Sequence, residues 1–175
     1  GVAVDGKGNV FVIDANGTAA EEIVAVNGVV SSTSTVNTIG SGFNHSYSIA
    51  VDSAGNVFVA DYGNNAVHEI VAVNGVVSSA STVITIGSGF NGPTGVAVDG
   101  AGNVFVADFG NGAVKEIVAG NGVVSAASTV NTIASGLIGP FSVAVDGSGN
   151  VFVAGHNDHA VKEIDLSDPP SLSFA

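Results

Sequence analysis

The sequence repeats itself every 47 residues. A turn motif, D-x-x-G-N, marks each copy, and its aspartate, its asparagine and a later glutamate recur at that step without slippage. The three series are Asp5, Asp52, Asp99 and Asp146; Asn9, Asn56, Asn103 and Asn150; and Glu22, Glu69, Glu116 and Glu163. A fixed period of this length is typical of solenoids, propellers and other arrays, in which each unit buries its apolar faces against its neighbours.

The clearest strand signal lies in the third copy, from Gly95 to Asp108. Two runs rich in Val and Phe flank the turn-forming residues 99–103, which predicts a β-hairpin. In the second copy the same reasoning predicts four strands, at 48–52, 56–61, 66–71 and 82–86. Asn74-Gly75 separates the third strand from the fourth, and Asn-Gly between apolar runs is the strongest short hairpin signal.

Four strands per copy, joined by turns, predict an all-β chain of antiparallel meanders. Four-stranded sheets repeated radially make a β-propeller. We therefore expect one domain of four 47-residue, four-stranded antiparallel blades, at about 1–47, 48–94, 95–141 and 142–175. Helical apolar spacing is absent, which excludes solenoids of helix pairs. Val67 and Ile70 are three residues apart, so strict alternation would put them on opposite faces, and we expect a bulge in the third strand.

Charge excludes some partners. Fifteen acidic residues against three Lys and Arg give a formal net charge of −12. Because phosphate binding depends on cationic side chains, we expect neither nucleic acid nor an anionic membrane as a partner. The apolar runs, about four to six residues long, are also far shorter than the ~20 residues of a membrane-spanning helix. With no Cys, the chain forms no disulfide and offers no thiolate chemistry.

The segment GVAVDGAGNVFVADFGNGAVKEI, residues 95–117, resembles the NHL repeat, and more loosely the repeat of bacterial virginiamycin B lyase-like propellers. The resemblance extends over nearly the whole chain and implies a propeller whose VAVD strand is innermost. The copies are longer than usual NHL repeats, and the surplus lies between the third and fourth strands. NHL-like rings usually have more than four blades. We therefore expect this chain to be part of a larger ring, completed by another chain or by a longer propeller.

Histidines are the first candidate site. His45 precedes blade 2, while His156 and His159 lie in the turn after the second strand of blade 4. These two kinds of loop open on one face of a propeller, and three histidines would suit an open divalent metal site such as zinc. The alternative is that the three are exposed and unrelated. His68 replaces Glu21, Lys115 and Lys162 at its repeat position, which predicts a variable, solvent-facing residue.

Aromatic and amide side chains on the same face are the second candidate site. Aromatic rings beside amides can bind sugars or peptides, and the candidate binding residues are Tyr47, Tyr62, Phe90, Phe109, Asn64 and Asn111. The alternative for Phe90, which shares a repeat position with Phe43, is that both rings fill the gap between blades.

Carboxylates recur in the turns and in the third strands. The D-x-x-G-N turns could hold calcium, but their spacing lacks the acidic third position and the bidentate Glu of an EF-hand. The alternative is that Asp and Asn bond their own turn backbone. The four repeat glutamates could form a cation-binding ring. Alternatively, each makes a hydrogen bond to the next blade or faces solvent.

No nucleophile stands out, since Ser and Thr lie in low-complexity stretches and no G-x-S-x-G elbow occurs. We therefore expect a non-enzymatic, extracytoplasmic or secreted, bacterial-like repeat module without a cofactor. It would bind protein or another ligand, its own copies included, through its open ends. One alternative is a metal-dependent, lyase-like enzyme with a site on the linker face. Another is a duplicated or engineered propeller with no dedicated activity. Two glycosylation sequons begin at Asn16 and Asn44.

Overall fold

The fold is known from a computed structural model, which describes residues 1–166 and the backbone of residues 171–174. It contains four antiparallel sheets of four strands, one per copy of the repeat, which confirms the predicted all-β class and four-stranded blades. In chain order the strands are β1 (Val2–Val4), β2 (Val10–Ile13), β3 (Ala19–Ile23), β4 (Val36–Ser41), β5 (Ser46–Val51), β6 (Val57–Asp61), β7 (Ala66–Ile70), β8 (Val83–Ile86), β9 (Pro93–Val98), β10 (Val104–Asp108), β11 (Ala113–Ile117), β12 (Val130–Ala134), β13 (Pro140–Val145), β14 (Val151–Gly155), β15 (Val161–Asp165) and β16 (Ser171–Phe174).

Each sheet is a meander whose first turn is fixed by its own side chains. In blade 2 the Asp52 carboxylate accepts hydrogen bonds from the backbone N–H groups of Ala54 and Asn56 and from the Asn56 amide, at 2.8–2.9 Å. Asn56 Oδ1 then accepts the N–H of Ala72, which holds the end of the third strand beside the turn. The other three blades bond their D-x-x-G-N turns in the same way. The turn carboxylates therefore accept hydrogen bonds from the turn backbone, as the alternative to calcium binding predicts.

Successive blades pack face to face, and three apolar clusters lie between them. Every residue of β6 and of β10 is buried, since each of these strands has a neighbouring blade on both sides. The first strands β1, β5, β9 and β13 contact one another in that order, which places them innermost. The fold therefore buries apolar side chains on both faces of a sheet, and apolar residues need not alternate along a strand.

This two-sided burial corrects the bulge predicted in the third strand of blade 2. β7 pairs with both neighbouring strands without a register shift. Val67 packs in the cluster shared with blade 3, and Ile70 packs in the cluster shared with blade 1. The two residues do lie on opposite faces, and both faces are covered. Register shifts occur instead at the third strands of blades 1 and 3, opposite their fourth strands.

The extra length of each copy forms a short arm between the third and fourth strands. The Asn-Gly turns at 27–28, 74–75 and 121–122 close small hairpins, with isolated bridges on either side. Arms contact the preceding blade: Val77 packs in the cluster between blades 1 and 2, and Val124 in the one between blades 2 and 3. The Gly87 N–H of blade 2 also donates to Ser125 of the blade 3 arm.

The first strands of blades 2, 3 and 4 begin earlier than predicted, at Ser46, Pro93 and Pro140. A register shift near each start allows this extension, and Pro at the start of a strand loses no ladder bond.

Helix in the described residues amounts to a 3₁₀ turn at Phe109–Asn111. Within that same part of the chain, no helix has the length and apolar character needed to cross a membrane.

Candidate functional site

Six side chains from two repeat positions converge on one cavity. Tyr47, Thr94 and Phe141 share the position where the linker enters the first strand of blades 2, 3 and 4, and Tyr62, Phe109 and His156 share the position after the second strand. The cavity they line has a volume of about 180 Å³. We call it the aromatic cavity. Five of its six side chains carry rings, and the exception is Thr94. In blade 1 the second of these positions holds Ala15.

The rings contact one another across blades. Tyr47 meets Tyr62 edge to face, with centroids 5.5 Å apart, and meets Phe141 of blade 4 at 5.8 Å. His156 lies 5.7 Å from Phe141. Thr94 lies between them in chain order and is buried, and its hydroxyl group donates to the carbonyl groups of Ala107 and Pro140 at 3.4 and 3.2 Å. This small residue in blade 3 lets the rings of blades 2 and 4 meet.

A buried aspartate positions the linker of blades 2 and 3. Asp61 accepts the backbone N–H of Asn44 at 2.9 Å and the side-chain amide of Asn64 at 2.7 Å. Asp108 accepts the equivalent donors, the backbone of Asn91 and the amide of Asn111, both at 2.7 Å. The amide nitrogens of the predicted binding residues Asn64 and Asn111 are thus engaged within the protein, where they also reach linker carbonyl groups.

Each of these buried carboxylates also faces a basic side chain. Lys115 Nζ lies 2.7 Å from Asp108 Oδ2, and His68 Nε2 lies 3.2 Å from Asp61 Oδ2. The prediction that His68 faces solvent is therefore wrong. Its ring is largely buried, 5.6 Å from the ring of Phe43, because the linker folds over the third strand.

Blade 4 also pairs a carboxylate with a basic side chain, but different residues supply the carboxylate. Gly155 stands where blades 2 and 3 have aspartate, and Asp158 forms the ion pair with Lys162 instead. A Cβ atom at Gly155 would collide with the Asp158 carboxylate, so the glycine makes room for it. The hydrogen bond from Lys162 lowers the pKa of Asp158. Blade 4 therefore keeps a carboxylate–lysine pair near this position although the aspartate of the repeat is replaced.

The predicted metal site does not form. His156 lines the aromatic cavity, with Nδ1 2.8 Å from Asn157 Oδ1, while the Nδ1 atom of His45 is 2.7 Å from Asn44 Oδ1 in blade 2. His45 and His159 both have positive φ angles, which serve tight turns. Among residues 1–166, no three His, Asp or Glu side chains come close enough to hold a metal ion. His156 and His159 share the turn between β14 and β15, and His45 lies in the linker before β5.

Phe90 lies apart from the other predicted binding residues. It is buried in the cluster between blades 2 and 3, as Phe43 is between blades 1 and 2, and Lys115 Nζ lies over its ring at 5.4 Å. Both rings therefore fill gaps between blades, as the alternative for Phe90 predicts. Of the six predicted binding residues, the structure brings Tyr47, Tyr62 and Phe109 together at the cavity.

The repeat glutamates differ because their partners across the strand pair differ. Glu22 lies opposite Asn37, which hydrogen-bonds it, and desolvation raises the pKa of Glu22. Glu69 lies opposite Ile84, and burial raises the pKa of Glu69 to about 7, with a smaller contribution from the charge of Asp52. Its Oε2 has no hydrogen-bond partner among the described residues. Glu69 therefore neither bonds the next blade nor faces solvent, the two alternatives we expected.

Sequence reasoning missed Thr94 as a cavity residue and the ion pairs of Asp61 and Asp108. The signal was present in the repeat. Thr94 stands 47 residues from both Tyr47 and Phe141, and the two aspartates are one step apart. Superposing the copies position by position would have grouped these residues.

Residues 90–117 match the family model of the NHL repeat. No curated protein sequence matches the chain. The match lies on the segment that carries the predicted resemblance and confirms it for that copy of the repeat.

Solved propellers share the fold. Virginiamycin B lyase from Staphylococcus aureus superposes with a TM-score of 0.71 at 11% identity, over 99% of this chain and 54% of the lyase chain. A chain of a nidogen/laminin complex gives 0.70 at 15% identity, over 90% of this chain and 58% of that one. A protein of unknown function from Bacteroides caccae gives 0.64 at 19% identity, over 99% and 60%. The chain thus spans a little over half the length of these structures, and the likeness shows the fold.

Proposed function

We propose that this NHL-like propeller is a non-enzymatic binding module for other proteins, and that the aromatic cavity receives one side chain of a partner. The observation that carries the proposal is the convergence of five rings from three blades on one cavity. Tyr and other aromatic residues are enriched in protein interfaces, because they bury a large apolar area with little loss of conformational entropy.

The size of the cavity supports this choice of ligand. At about 180 Å³ it is smaller than the ~300–1,000 Å³ of sites that enclose small molecules or cofactors. A single apolar or aromatic side chain fits such a volume, with the rest of the partner lying on the surrounding surface. Nidogen/laminin, a complex of two proteins by its name, contains a propeller of similar fold.

The chemistry of the lining residues favours binding over catalysis. His156 is the imidazole in the lining, and its Nδ1 already contacts Asn157 Oδ1. The Thr94 hydroxyl group is buried and donates to carbonyl groups, so no base is placed to activate it as a nucleophile. The lining offers apolar surface with few polar groups, which suits recognition.

Two further properties belong to the same proposal. The module associates with its own copies through the sheet faces at the ends of the array, and it works outside the cytoplasm. Support for the location is that both sequon asparagines, Asn16 and Asn44, are exposed, as a glycan acceptor in a secreted chain requires. Fractionation of the producing cells tests it, and recovery in the cytosol would contradict it.

Selection from a displayed library of random peptides tests the cavity. We expect selected peptides to share one apolar or aromatic anchor and to bind the Tyr62→Ala variant at least about 10-fold more weakly, a loss of ~1.4 kcal/mol. Tyr62→Phe, which keeps the ring, should bind within about 3-fold of the original. The exposed Val73, outside the cavity, gives a matched control as Val73→Ala. Peptides that bind the Tyr62→Ala variant equally well would overturn the proposal.

A further inference from the structure

Each junction between blades has two different halves. We call the face of a blade that packs on the next blade its leading face, and the face that packs on the preceding blade its trailing face. Phe11, Phe58 and Phe105 lie on the leading faces of blades 1, 2 and 3, and each is buried in the following junction. Ile49, Val96 and Val143 lie on the trailing faces of blades 2, 3 and 4 and are buried in the same three junctions. The chain therefore makes one kind of junction three times.

Blade 1 presents a trailing face that nothing in the described chain covers. Val2 is 66% exposed, whereas its repeat equivalent Ile49 is 5% exposed. Val30 on the arm is 38% exposed, whereas its equivalent Val77 is 3% exposed against blade 1. The side chains that form a junction in the other blades are therefore present on this face and exposed.

Blade 4 presents a leading face that the described chain leaves uncovered. Val161 is 49% exposed, whereas its equivalents Val67 and Val114 are fully buried. Phe152 and Ala154 on the same face are partly exposed, whereas Phe58 and Ala60 are buried in blade 2. This leading face keeps the apolar residues that the other three blades use to cover a trailing face.

We propose that the leading face of blade 4 binds the trailing face of blade 1 of a second copy of this chain, and that two copies close one ring. The inference rests on the proposed self-association and names its partner and its contact. The junction would repeat the packing seen three times within the chain, with Val2 and Val30 of one copy covering Phe152 and Val161 of the other. A head-to-tail contact of this kind forms a closed ring when its rotation returns to the start.

Two copies of the four-bladed array supply enough blades to close a ring. Four blades span a little over half of the solved propellers on which the chain superposes. The remaining 40–46% of those chains is less than the 54–60% that four blades span, so two copies form a somewhat larger ring, whose two identical junctions leave no apolar face open. Two exposed apolar faces on one soluble chain are otherwise an unusual surface for a monomer.

Light scattering after gel filtration gives the first test. Between about 1 and 100 µM, we expect a species of twice the 17.0 kDa of one chain. Val161→Glu and Val2→Glu should each weaken association at least about 10-fold, since a charge would be buried without a partner. Val73→Glu, the same change at a residue on neither face, should leave the dimer intact. A wild-type monomer throughout, or a mass that grows without limit, would overturn the proposal.

Mixing the two variants tests the head-to-tail arrangement. The Val2→Glu chain keeps its leading face, and the Val161→Glu chain keeps its trailing face, so the mixture can form one intact junction. We expect a two-chain species that neither variant forms alone, and its absence would contradict the arrangement. Both variants should show the β-sheet circular dichroism of the original and still bind the cavity-selected peptides. A wild-type chain that binds the peptides but forms no dimer would reject this inference and leave the cavity proposal standing.

Discussion

At the scale of single residues, Asp61 and Asp108 are the groups on which the linker depends. Each carboxylate is buried and accepts hydrogen bonds from a linker backbone N–H and from an asparagine amide, beside a basic side chain. A buried charge is tolerated in this way only when its partners are in place. Asp14, at the same repeat position in blade 1, is exposed and gives a comparison within the chain.

We expect Asp61→Ala to destabilise the protein by about 3 kcal/mol, because it leaves the Asn44 N–H and the Asn64 amide without their acceptor. Asp14→Ala should change stability by less than about 0.5 kcal/mol, as is usual for exposed positions. Urea unfolding measures both. Equal losses in the two variants would contradict the role assigned to Asp61.

Glu69 predicts a pH dependence. Its pKa is about 7 in the folded protein and near the ordinary 4.5 when unfolded, so the folded state binds the proton more tightly. Its contribution to stability is therefore fully present below pH 4.5 and is lost as the pH rises through 7. Glu69→Gln, which stays neutral, should raise the melting temperature at pH 8 by at least about 2 °C and give little gain at pH 4.5.

Glu116 is the matched control for this measurement. It holds the same repeat position, and the Asn131 amide donates to its carboxylate at 3.4 Å. Glu116→Gln should therefore give no gain at pH 8. A gain of the same size in both variants would show that reducing the net negative charge, and not the burial of Glu69, causes the effect.

At the scale of elements, the arm between the third and fourth strands is what distinguishes these blades. The Asn-Gly turn and its bridges form locally, and one valine of the arm then packs against the preceding blade. The sequence predicted the turn and the extra length. The contact with another blade was not predictable, because it depends on where the preceding sheet lies.

Val77→Ala should destabilise the protein by about 1.5–3 kcal/mol, since Val77 is buried between blades 1 and 2. Val30→Ala makes the same change in the uncovered arm of blade 1, and under monomeric conditions it should cost under about 0.5 kcal/mol. Thermal unfolding at low protein concentration compares the two. Equal losses of stability in the two variants would mean that the valine stabilises the hairpin of its own arm and not the contact between blades.

At the scale of the whole molecule, the array behaves as a row of units that stabilise their neighbours. The central strands β6 and β10 are fully buried, while β2 and β14 in the end blades are partly exposed. The Tyr47–Phe141 contact is a direct link between blades that are not adjacent in the chain. Stability should therefore be lowest at the two ends.

Hydrogen exchange followed by mass spectrometry tests this gradient. In the monomeric Val161→Glu variant, we expect β6 and β10 to exchange more slowly than β2 and β14, because opening an end blade exposes one junction and opening a central blade exposes two. In the wild type at high concentration, the end blades should gain protection as copies associate. Uniform protection along the variant would contradict a row of coupled units.

The sequence by itself determined the period, the strands and the turns, since these depend on residues within one copy. A D-x-x-G-N turn closes with its own side chains, and an apolar run of Val and Phe forms a strand wherever the copy lies. Only the tertiary structure decided that His68 lies beneath the linker, that Val67 and Ile70 are both buried, and that Tyr47 meets Phe141. These outcomes depend on how one blade is rotated against the next, and no single copy of the repeat encodes that angle.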